Sequence, residues 1–509
     1  MNKALPINNQ LKAGAVLNYV LILLHTLVGL LYTPYMLRAM GQSEYGLYSL
    51  VASVIAYLTI LDLGMGNAII RYTAKYRAEG KTEEQYEMFG MFFILYLLIG
   101  IVAMAIGMGL YYNVDAMFGK TMTDIELSRA RIMMLILVFN LAFTFPMSIF
   151  GSIMTAYERF VFPRILSILR IILNTAVMVV LLHYGYRAIA MVIVQTVFNV
   201  LTLVINYFYC KHYLHIKMVF GRFNWSFLKE VALYSFWILL NVIMDKVYWS
   251  TGQFVLGAIS GTIAVSVFAV AIQLQGMYSQ FSSAITSVFL PKVTAMVTKD
   301  SNDQQLSDLF IRTGRLQYLV MSSILCGFIV FGKQFIILWA GPEYSDAYMI
   351  TLLFFVSLLI PLIQNLGITI LQAKNQMRFR SVIYIIIAVV ALIMEIVFSK
   401  IWGGIGCALA IAGALLLGQG LIMNIYYKKK QHLDIRGFWV EIMKISVAPL
   451  VLTLLFFVII HYLVPIDSWK SLCIYIIAFS AFLLPLLYIF SMNEYERTMV
   501  KQILNRFKK

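Results

Sequence analysis

The chain has 509 residues, of which 61% are hydrophobic and 12% are charged, whereas a soluble domain carries about 45–50% and about 25%. This composition excludes an ordinary water-soluble domain and indicates a membrane protein. The formal net charge is +16. Because no soluble basic face is predicted on which nucleic acid would bind, the charge is interpreted as a topology signal and not as evidence for a nucleic-acid partner.

Long apolar tracts recur from end to end of the chain. Each is long enough, as an α-helix, to cross a hydrocarbon core roughly 30 Å thick. Helices are expected because lipid cannot hydrogen-bond an open backbone. The sequence therefore predicts an all-α polytopic membrane protein with about 14 transmembrane helices. The predicted spans are 13–36, 45–70, 88–111, 132–156, 164–183, 188–209, 231–258, 263–289, 316–339, 348–371, 381–399, 403–427, 442–463 and 471–490.

The distribution of lysine and arginine predicts the orientation of these spans, since cytoplasmic loops retain both residue types. Most basic residues outside the spans fall in the N-terminal segment, in the even-numbered loops and in the C-terminal tail. Both termini are therefore expected in the cytoplasm. The same bias favours an even number of spans, because one missed helix would invert every later loop.

An internal repeat is predicted from two stretches that run in parallel. Pro146 in span four matches Pro361 in span ten, and Asn206 matches Asn424 further along. Six helices per unit return the chain to the same side, so the pattern predicts two parallel six-helix repeats plus two extra C-terminal helices. A duplicated but static scaffold is the alternative to a rocking transporter. The predicted parts are an N-lobe over 1–228, a C-lobe over 229–437, and helices 13 and 14 with a basic cytoplasmic tail over 438–509.

Ionisable residues inside predicted spans are candidate functional residues, because a charge at the bilayer centre costs about 2.5–3.5 kcal/mol on insertion scales. Lys246 lies near the middle of span seven, too deep for its ammonium group to reach water easily. Its neighbour Asp245 projects about 100° away around the helix, so each is expected to face a partner on another helix. A structural ion pair that holds the bundle together is the alternative interpretation.

Two further charges lie nearer to the ends of their spans. Arg170 lies in the first third of span five, and both snorkelling to the inner interface and lining a cavity remain open for it. Glu395 lies near the outer end of span eleven, where a carboxylate in contact with water, or snorkelled to the interface, is expected.

Asp62 lies in a segment whose glycines interrupt the second span, Leu61-Asp62-Leu63-Gly64-Met65-Gly66-Asn67. Its carboxylate is expected either to cap amides that the break frees or to bind a cation. Tyr248 and Trp249, beside Lys246, are candidates for stacking on sugar rings. Other aromatic residues are expected to face lipid or the membrane interface.

Features of an enzyme are missing from the sequence. The longest predicted loop, 291–315, is too short for a catalytic domain, and there is no P-loop and no paired acidic D-x-D motif at a helix end. The cysteines lack metal-type spacing. They are Cys210, Cys326, Cys407 and Cys473. The sequence thus predicts no catalytic residue, no metal site and no cofactor, and it favours transport over catalysis.

The N-terminal part of the chain resembles a known family. The segment 34–48, PYMLRAMGQSEYGLY, followed by LDLGMG at 61–66 and Arg71-Tyr72, resembles the start of bacterial polysaccharide-biosynthesis flippases. These are O-antigen-type translocases, which serve lipopolysaccharide synthesis, in the multidrug/oligosaccharidyl-lipid/polysaccharide exporter superfamily. The length and the six-plus-six-plus-two plan fit this family over essentially the whole chain.

The resemblance implies a flippase of the bacterial inner (plasma) membrane. It would move an undecaprenyl-diphosphate-linked oligosaccharide from the cytoplasmic to the outer leaflet by alternating access, in contact with membrane lipid and alongside a polysaccharide polymerase and glycosyltransferases. Each unpaired sugar hydroxyl costs several kcal/mol to bury, so flipping needs a protein. The implied substrate-binding residues are Lys246, Arg170, Tyr248 and Trp249, and the implied residues for coupling to H⁺ or Na⁺ are Asp62, Asp245 and Glu395.

Three alternatives remain. Cation-coupled drug exporters and lipid II translocases belong to the same superfamily and share its fold. A membrane-embedded polysaccharide polymerase or acyltransferase belongs to a different class. It would require a long outer loop carrying arginine, histidine or aspartate chemistry, which this sequence does not show.

Overall fold

The computed structural model describes residues 7–221, 225–298, 303–374, 376–463 and 466–507. Over these ranges the chain is helical almost throughout and contains no β-strand, which confirms the predicted all-α membrane fold. The chain divides into two compact units, Met1–Ser266 and Val267–Lys509. This division differs from the lobe boundary at residue 228, and the six-plus-six repeat stays a prediction.

Unit 1 is built from eight helices and the beginning of a ninth. They are α1 (Ile7–Met40), α2 (Gln42–Leu58), α3 (Met65–Glu79), α4 (Thr82–Tyr112), α5 (Val114–Phe118), α6 (Asp124–Ala156), α7 (Val161–His183), α8 (Ala188–His212) and the first part of α9 (Trp225–Thr298). Helix α6 packs against α4 on one side and against α8 on another, and α1 packs along α7.

Small residues bring α4 and α6 together. A Cβ atom at Gly100 would lie 2.7 Å from the carbonyl oxygen of Ala142, and one at Gly107 would lie 2.4 Å from a methyl carbon of Val138. Gly100 and Gly107 are seven residues apart and so share one face of α4. In lipid the hydrophobic effect does not drive helix association, so close contact at small residues stabilises this pair.

Unit 2 contains the rest of α9 and eight further helices. They are α10 (Asp303–Trp339), α11 (Ala347–Ile363), α12 (Asn365–Ala373), α13 (Met377–Leu415), α14 (Asn424–Lys430), α15 (Ile435–Leu463), α16 (Trp469–Leu486) and α17 (Glu494–Phe507). A π-helical stretch, Leu416–Met423, joins α13 to α14, and a second, Leu487–Ser491, follows α16. Helix α10 packs against α11 and α15, and α11 packs against α13.

Eleven helices among the described residues are long and apolar enough to cross a membrane, or twelve if the bent pair α11 and α12 forms one span. The predicted count of fourteen is not established. Two of the long segments, Leu239–Thr286 and Met377–Lys430, contain a glycine with non-helical backbone angles, Gly261 and Gly403 respectively. The fourteen-span prediction divides both segments close to these glycines.

At Gly403 the chain turns back on itself. The residue has φ 55° and ψ −133°, a conformation that glycine tolerates without steric cost. The Sγ of Cys407 lies 3.9 Å from the carbonyl oxygen of Glu395, although these residues would be about 18 Å apart along a straight helix. A Cβ at Gly406 would lie 2.1 Å from the carbonyl oxygen of Phe398. Helix α13 is therefore a helical hairpin with two antiparallel arms.

The predicted loop 291–315 is mostly helical, which corrects the sequence analysis. Helix α9 continues to Thr298 and α10 begins at Asp303. Hydropathy falls where a helix leaves the lipid, but the backbone hydrogen bonds of the helix continue beyond that point. A hydropathy minimum therefore marks the membrane boundary and not the end of the helix.

Candidate functional site

A cavity of about 420 Å³ lies within unit 1, bounded by α1, α2, α6, α7 and α8. Ligand pockets in proteins have volumes of roughly 300–1,000 Å³, so this cavity is large enough for part of a substrate. Apolar side chains such as Val28, Met178 and Phe198 form part of its wall. The polar wall is formed by His25, Tyr32, Tyr48, Asn140, Arg170, Asn174, Thr175, Gln195 and Asn199.

Helical periodicity brings these polar groups together. Two helices each contribute to the wall two polar residues spaced four apart, so both members of each pair lie on one helix face. The pairs are Arg170 and Asn174 on α7, and Gln195 and Asn199 on α8. On α6, Asn140 lines the cavity, and Thr144, four residues later, contacts Asn199 behind the wall. The amides were not among the site residues predicted from the sequence, because only ionisable residues stand out in apolar spans, although the four-residue spacing is visible in the sequence.

Asn199 orients the guanidinium of Arg170. Its Oδ1 accepts a hydrogen bond from Nη1 of Arg170 at 3.3 Å. Its Nδ2 donates to Oδ1 of Asn140 at 2.8 Å and to Oγ1 of Thr144 at 2.9 Å. Both amide hydrogens are thereby committed to α6, which fixes the acceptor oxygen toward Arg170.

Other polar groups of the wall have hydrogen-bonding capacity left over. The hydroxyl of Tyr48 donates to Oε1 of Gln195 at 3.0 Å. The hydroxyl of Tyr32 and the Oδ1 of Asn174 are buried without a hydrogen-bond partner among the described residues. An unpaired buried polar atom costs free energy, so these groups are available for a hydrogen bond to a ligand or to water.

Arg170 gives the cavity a positive charge. None of the residues that line the cavity is Asp or Glu, and none of the carboxylates in the described ranges forms an ion pair with this guanidinium. A guanidinium has five N–H donors in a planar fork that matches carboxylate and phosphate oxygens. The arrangement favours an anionic ligand that also carries hydrogen-bonding groups.

Lys246 and Asp245 do not line this cavity. Lys246 is half-buried on α9 and its neighbour Asp245 is exposed, and the two interact electrostatically. Tyr248 is 3% exposed, so neither face of its ring is open to a sugar in this conformation. Trp249 is half-buried, with its ring centroid 6.5 Å from that of Tyr248. The substrate-binding and coupling roles of these four residues stay predictions.

Asp62 lies at a break between α2 and α3. Leu63 and Gly64 adopt left-handed backbone conformations with φ 54° and 72°, which end the first helix. The carboxylate accepts a hydrogen bond from the hydroxyl of Tyr96 at 2.9 Å and another from the backbone N–H of Gly64. This geometry supports the local-cap interpretation. Asp62 does not line the cavity, and its coupling role stays a prediction.

Glu395 is 0% exposed, whereas the sequence analysis expected a carboxylate in contact with water or snorkelled to the interface. The hairpin at Gly403 explains the difference. Its second arm folds back along the first and covers a position that a linear reading places near the membrane surface. Neither carboxylate oxygen has a hydrogen-bond partner among the described residues.

The segment that carries the family resemblance serves to pack the end of unit 1 where α1 meets α2. Glu44, 5% exposed, forms an ion pair with Arg129 and accepts a hydrogen bond from the backbone N–H of Ala188 at 3.4 Å. A Cβ at Gly46 would lie 1.9 Å from the carbonyl oxygen of Thr262. These residues hold four helices of unit 1 together.

Comparison with known proteins places the chain in a family. The model of the family described as polysaccharide biosynthesis protein matches residues 11–297, more than half of the chain. A relative, the uncharacterized membrane protein EpsK of Bacillus subtilis (strain 168), is 19% identical over 475 residues, which cover 89% of this chain and 90% of the relative.

Two solved structures with a similar fold are a flippase and a transporter. The lipid II flippase MurJ, in an inward closed conformation, has a TM-score of 0.73 at 16% identity, covering 94% of this chain and 98% of MurJ. An inward-facing multidrug resistance MATE family transporter of the MOP superfamily has a TM-score of 0.60 at 14% identity, covering 81% of this chain and 99% of that one. Such low identities establish the fold alone. From the family match, which also confirms the N-terminal resemblance, the chain belongs to the polysaccharide biosynthesis protein family.

Proposed function

We propose that this protein flips a polyprenyl-diphosphate-linked oligosaccharide from the cytoplasmic to the outer leaflet of the bacterial inner membrane, for the synthesis of a surface polysaccharide such as O-antigen. The observation that carries the proposal is the cavity of unit 1, which contains a guanidinium, several amides and phenols, and no carboxylate. The family and the transporter fold support a membrane carrier that is not an enzyme.

The diphosphate of the substrate fits the guanidinium of Arg170. Phosphate oxygens accept two parallel hydrogen bonds from an arginine, and this pairing is stronger than a neutral hydrogen bond. The apolar surroundings lower the local dielectric constant and increase the attraction. Asn199 holds the guanidinium in place from the other side.

The sugar next to the diphosphate fits the neutral polar wall. Amide and phenol groups both donate and accept, as sugar hydroxyls do, so they replace the water that the sugar loses. Leaving one hydroxyl unpaired in an apolar medium costs several kcal/mol. A cavity of about 420 Å³ holds the diphosphate and the proximal sugar, while the polyprenyl tail stays in lipid.

Transport by alternating access requires the cavity to open to each leaflet in turn, and a coupling ion, H⁺ or Na⁺, supplies the energy under this proposal. Both termini lie in the cytoplasm. The glycosyltransferases that build the lipid-linked oligosaccharide act before this step, and the polymerase that consumes it acts after it.

A drug exporter for organic cations is disfavoured by the same cavity. A fixed guanidinium without a neighbouring carboxylate repels cations. A lipid II translocase remains the nearer competitor, since lipid II also carries a diphosphate. Only the identity of the accumulating glycolipid separates it from the proposed flippase.

The deciding experiment depletes the protein from its host and measures lipid-linked oligosaccharide on the cytoplasmic face together with polysaccharide on the surface. Accumulation inside with loss outside is expected. Accumulation of lipid II would instead assign the protein to peptidoglycan synthesis. Unchanged glycolipids with altered sensitivity to cationic drugs would overturn the proposal in favour of an exporter.

The variant Arg170→Met tests the cavity itself. A hydrogen bond to a charged group contributes about 1.5–3 kcal/mol, so we expect binding to weaken about tenfold to a hundredfold and surface polysaccharide to fall. The matched control is Arg187→Met, because Arg187 is exposed just before α8. Normal polysaccharide output from Arg170→Met at wild-type protein levels would remove Arg170 from the proposed site.

A further inference from the structure

The first arm of the α13 hairpin carries an ionisable residue that the cavity of unit 1 does not use. Glu395 is 0% exposed, and neither of its carboxylate oxygens has a hydrogen-bond partner in the part of the chain that the structure describes. It lies eight residues before the turn at Gly403, about 12 Å along the helix. A glutamate side chain is too short to reach the turn from that position.

An ionised carboxylate in this position is unstable. Burying an isolated charge in an apolar interior costs far more than burying the neutral acid, so such a group binds a cation or a proton. A hard metal cation needs several oxygen ligands. One and two turns before Glu395, on the same helix face, lie the buried side chains of Ala391 and Ala388, which offer none. One turn after it lies the buried Ser399, whose single hydroxyl donates to the carbonyl oxygen of Ile396 at 3.1 Å and does not make up a set of several ligands. The surroundings favour a proton.

The other titratable groups near Glu395 do not supply a cation. The thiol of Cys407, on the second arm, is close enough to interact with it electrostatically. Lys400 is exposed on the first arm and lies about 140° around the helix from Glu395. Arg380, at the start of α13, lies about 22 Å away along the helix.

The elements that pack against α13 are equally poor in charge. These are α11, α12 and the π-helical stretch. On α11 the titratable residue is Tyr348, whose hydroxyl donates to the carbonyl oxygen of Ile329 at 3.1 Å. Neither α12 nor the π-helical stretch contains a titratable side chain.

We propose that Glu395 is a proton-binding site in unit 2. In this conformation its carboxyl group is a neutral acid. When the packing of the hairpin opens to water, the O–H bond breaks, the electron pair stays on the carboxylate and the proton passes to a water molecule. The exchange of this proton against substrate movement rests on the proposed function, whereas the protonation itself does not.

Infrared spectroscopy of the purified protein in lipid tests the protonation directly. The spectrum of wild type minus Glu395→Gln at neutral pH should show the carbonyl stretch of a protonated carboxylic acid. The matched control is Glu494→Gln, because Glu494 is exposed at the start of α17. A difference spectrum that shows only carboxylate bands for Glu395 would overturn the proposal, and a band that disappears on adding Na⁺ would assign a sodium site instead.

Exchange with water separates a proton carrier from a permanently neutral acid. After transfer to D₂O the acid band should shift as the proton is replaced by deuterium, and it should lose intensity as the pH is raised. A band that neither shifts nor titrates would show a structural acid and overturn the carrier role.

Coupling is tested in cells that lack the native gene and express each variant at equal levels. Glu395→Gln cannot release a proton, so we expect loss of surface polysaccharide with accumulation of the lipid-linked oligosaccharide, whereas Glu494→Gln should behave as wild type. If the infrared band is present but Glu395→Gln transports normally, coupling is overturned and the flippase proposal stands. If depletion leaves the glycolipids unchanged, the flippase proposal fails while the infrared result still decides the proton site.

Discussion

A guanidinium inside a membrane bundle needs support from its neighbours, and in this protein the support is a neutral amide. Asn199 accepts from Arg170 and donates to Asn140 and Thr144. A carboxylate at the same position would hold Arg170 more strongly but would also cancel its charge. The choice of an amide therefore keeps the cation available to a ligand.

The variant Asn199→Asp tests this interpretation. The new carboxylate would pair with Arg170, and opposite charges about 4 Å apart attract by about 4 kcal/mol at an effective dielectric constant of about 20. We expect at least about a tenfold loss of transport with Arg170 still in place, measured as surface polysaccharide at equal protein levels. Asn113→Asp, at an exposed asparagine after α4, is the control. Wild-type output from Asn199→Asp would show that a net positive cavity is not required.

Residue-level prediction from the sequence was strongest for charges and weakest for amides. Arg170 and Glu395 stand out in apolar spans because a buried charge is costly. Asn140 and Asn199 cost less to bury and were passed over. Whether Arg170 reaches the surface or a cavity, and whether Glu395 meets water, depends on which helix covers each of them, and no single span contains that information.

At the scale of helices, a buried arginine fastens the C-terminal helix to unit 2. Arg315 on α10 is 4% exposed. Its Nε and Nη2 donate to the two carboxylate oxygens of Glu496 on α17, at 2.8 and 3.0 Å, and Nη1 donates to Glu441 on α15 at 2.6 Å. Nη2 also donates to the carbonyl oxygen of Ser491 at 3.1 Å. The C-terminal tail thus contains a helix, α17, which Arg315 connects to α10 and α15.

Removing the cation should destabilise unit 2. Arg315→Met leaves the carboxylate of Glu496, which is 4% exposed, buried without its partner, and breaking a buried pair in this way costs about 3–5 kcal/mol. We expect a clear drop in melting temperature in detergent, partly restored in the double variant Arg315→Met with Glu496→Met. Arg436→Met, at an exposed arginine at the start of α15, should change little. Equal melting temperatures for the Arg436 and Arg315 variants would contradict the docking role.

The sequence could not have identified this contact, because its partners are far apart along the chain. Glu441 and Glu496 lie 126 and 181 residues after Arg315. Arg315 also lies at the edge of a predicted span, where a basic residue is ordinary, so it was counted as a topology signal. In contrast, the hairpin at Gly403 was predictable, since Gly403 and Gly404 form a local turn signal.

For the whole molecule, composition alone predicted an all-α membrane protein. Lipid contains no water to hydrogen-bond the backbone, and an α-helix pairs its own N–H and C=O groups. The number of spans was less predictable. The bend between α11 and α12 and the glycine breaks at Gly261 and Gly403 make one segment count as one span or two. The number of spans depends on where the helix axis changes direction, and a hydropathy profile does not measure that direction.

Orientation is the remaining property of the whole molecule, and the distribution of lysine and arginine among the loops predicts it. Basic residues are costly to translocate, so the loops that hold most of them should face the cytoplasm. A fluorescent protein that matures only in the cytoplasm should therefore fluoresce at the C-terminus, and alkaline phosphatase, which is active only outside, should be active when fused after Gly119, between α5 and α6. The opposite pattern would place the Glu44 end of unit 1 in the cytoplasm. The charge bias would then have to be explained by binding to a partner, and the direction of flipping could no longer be inferred from topology.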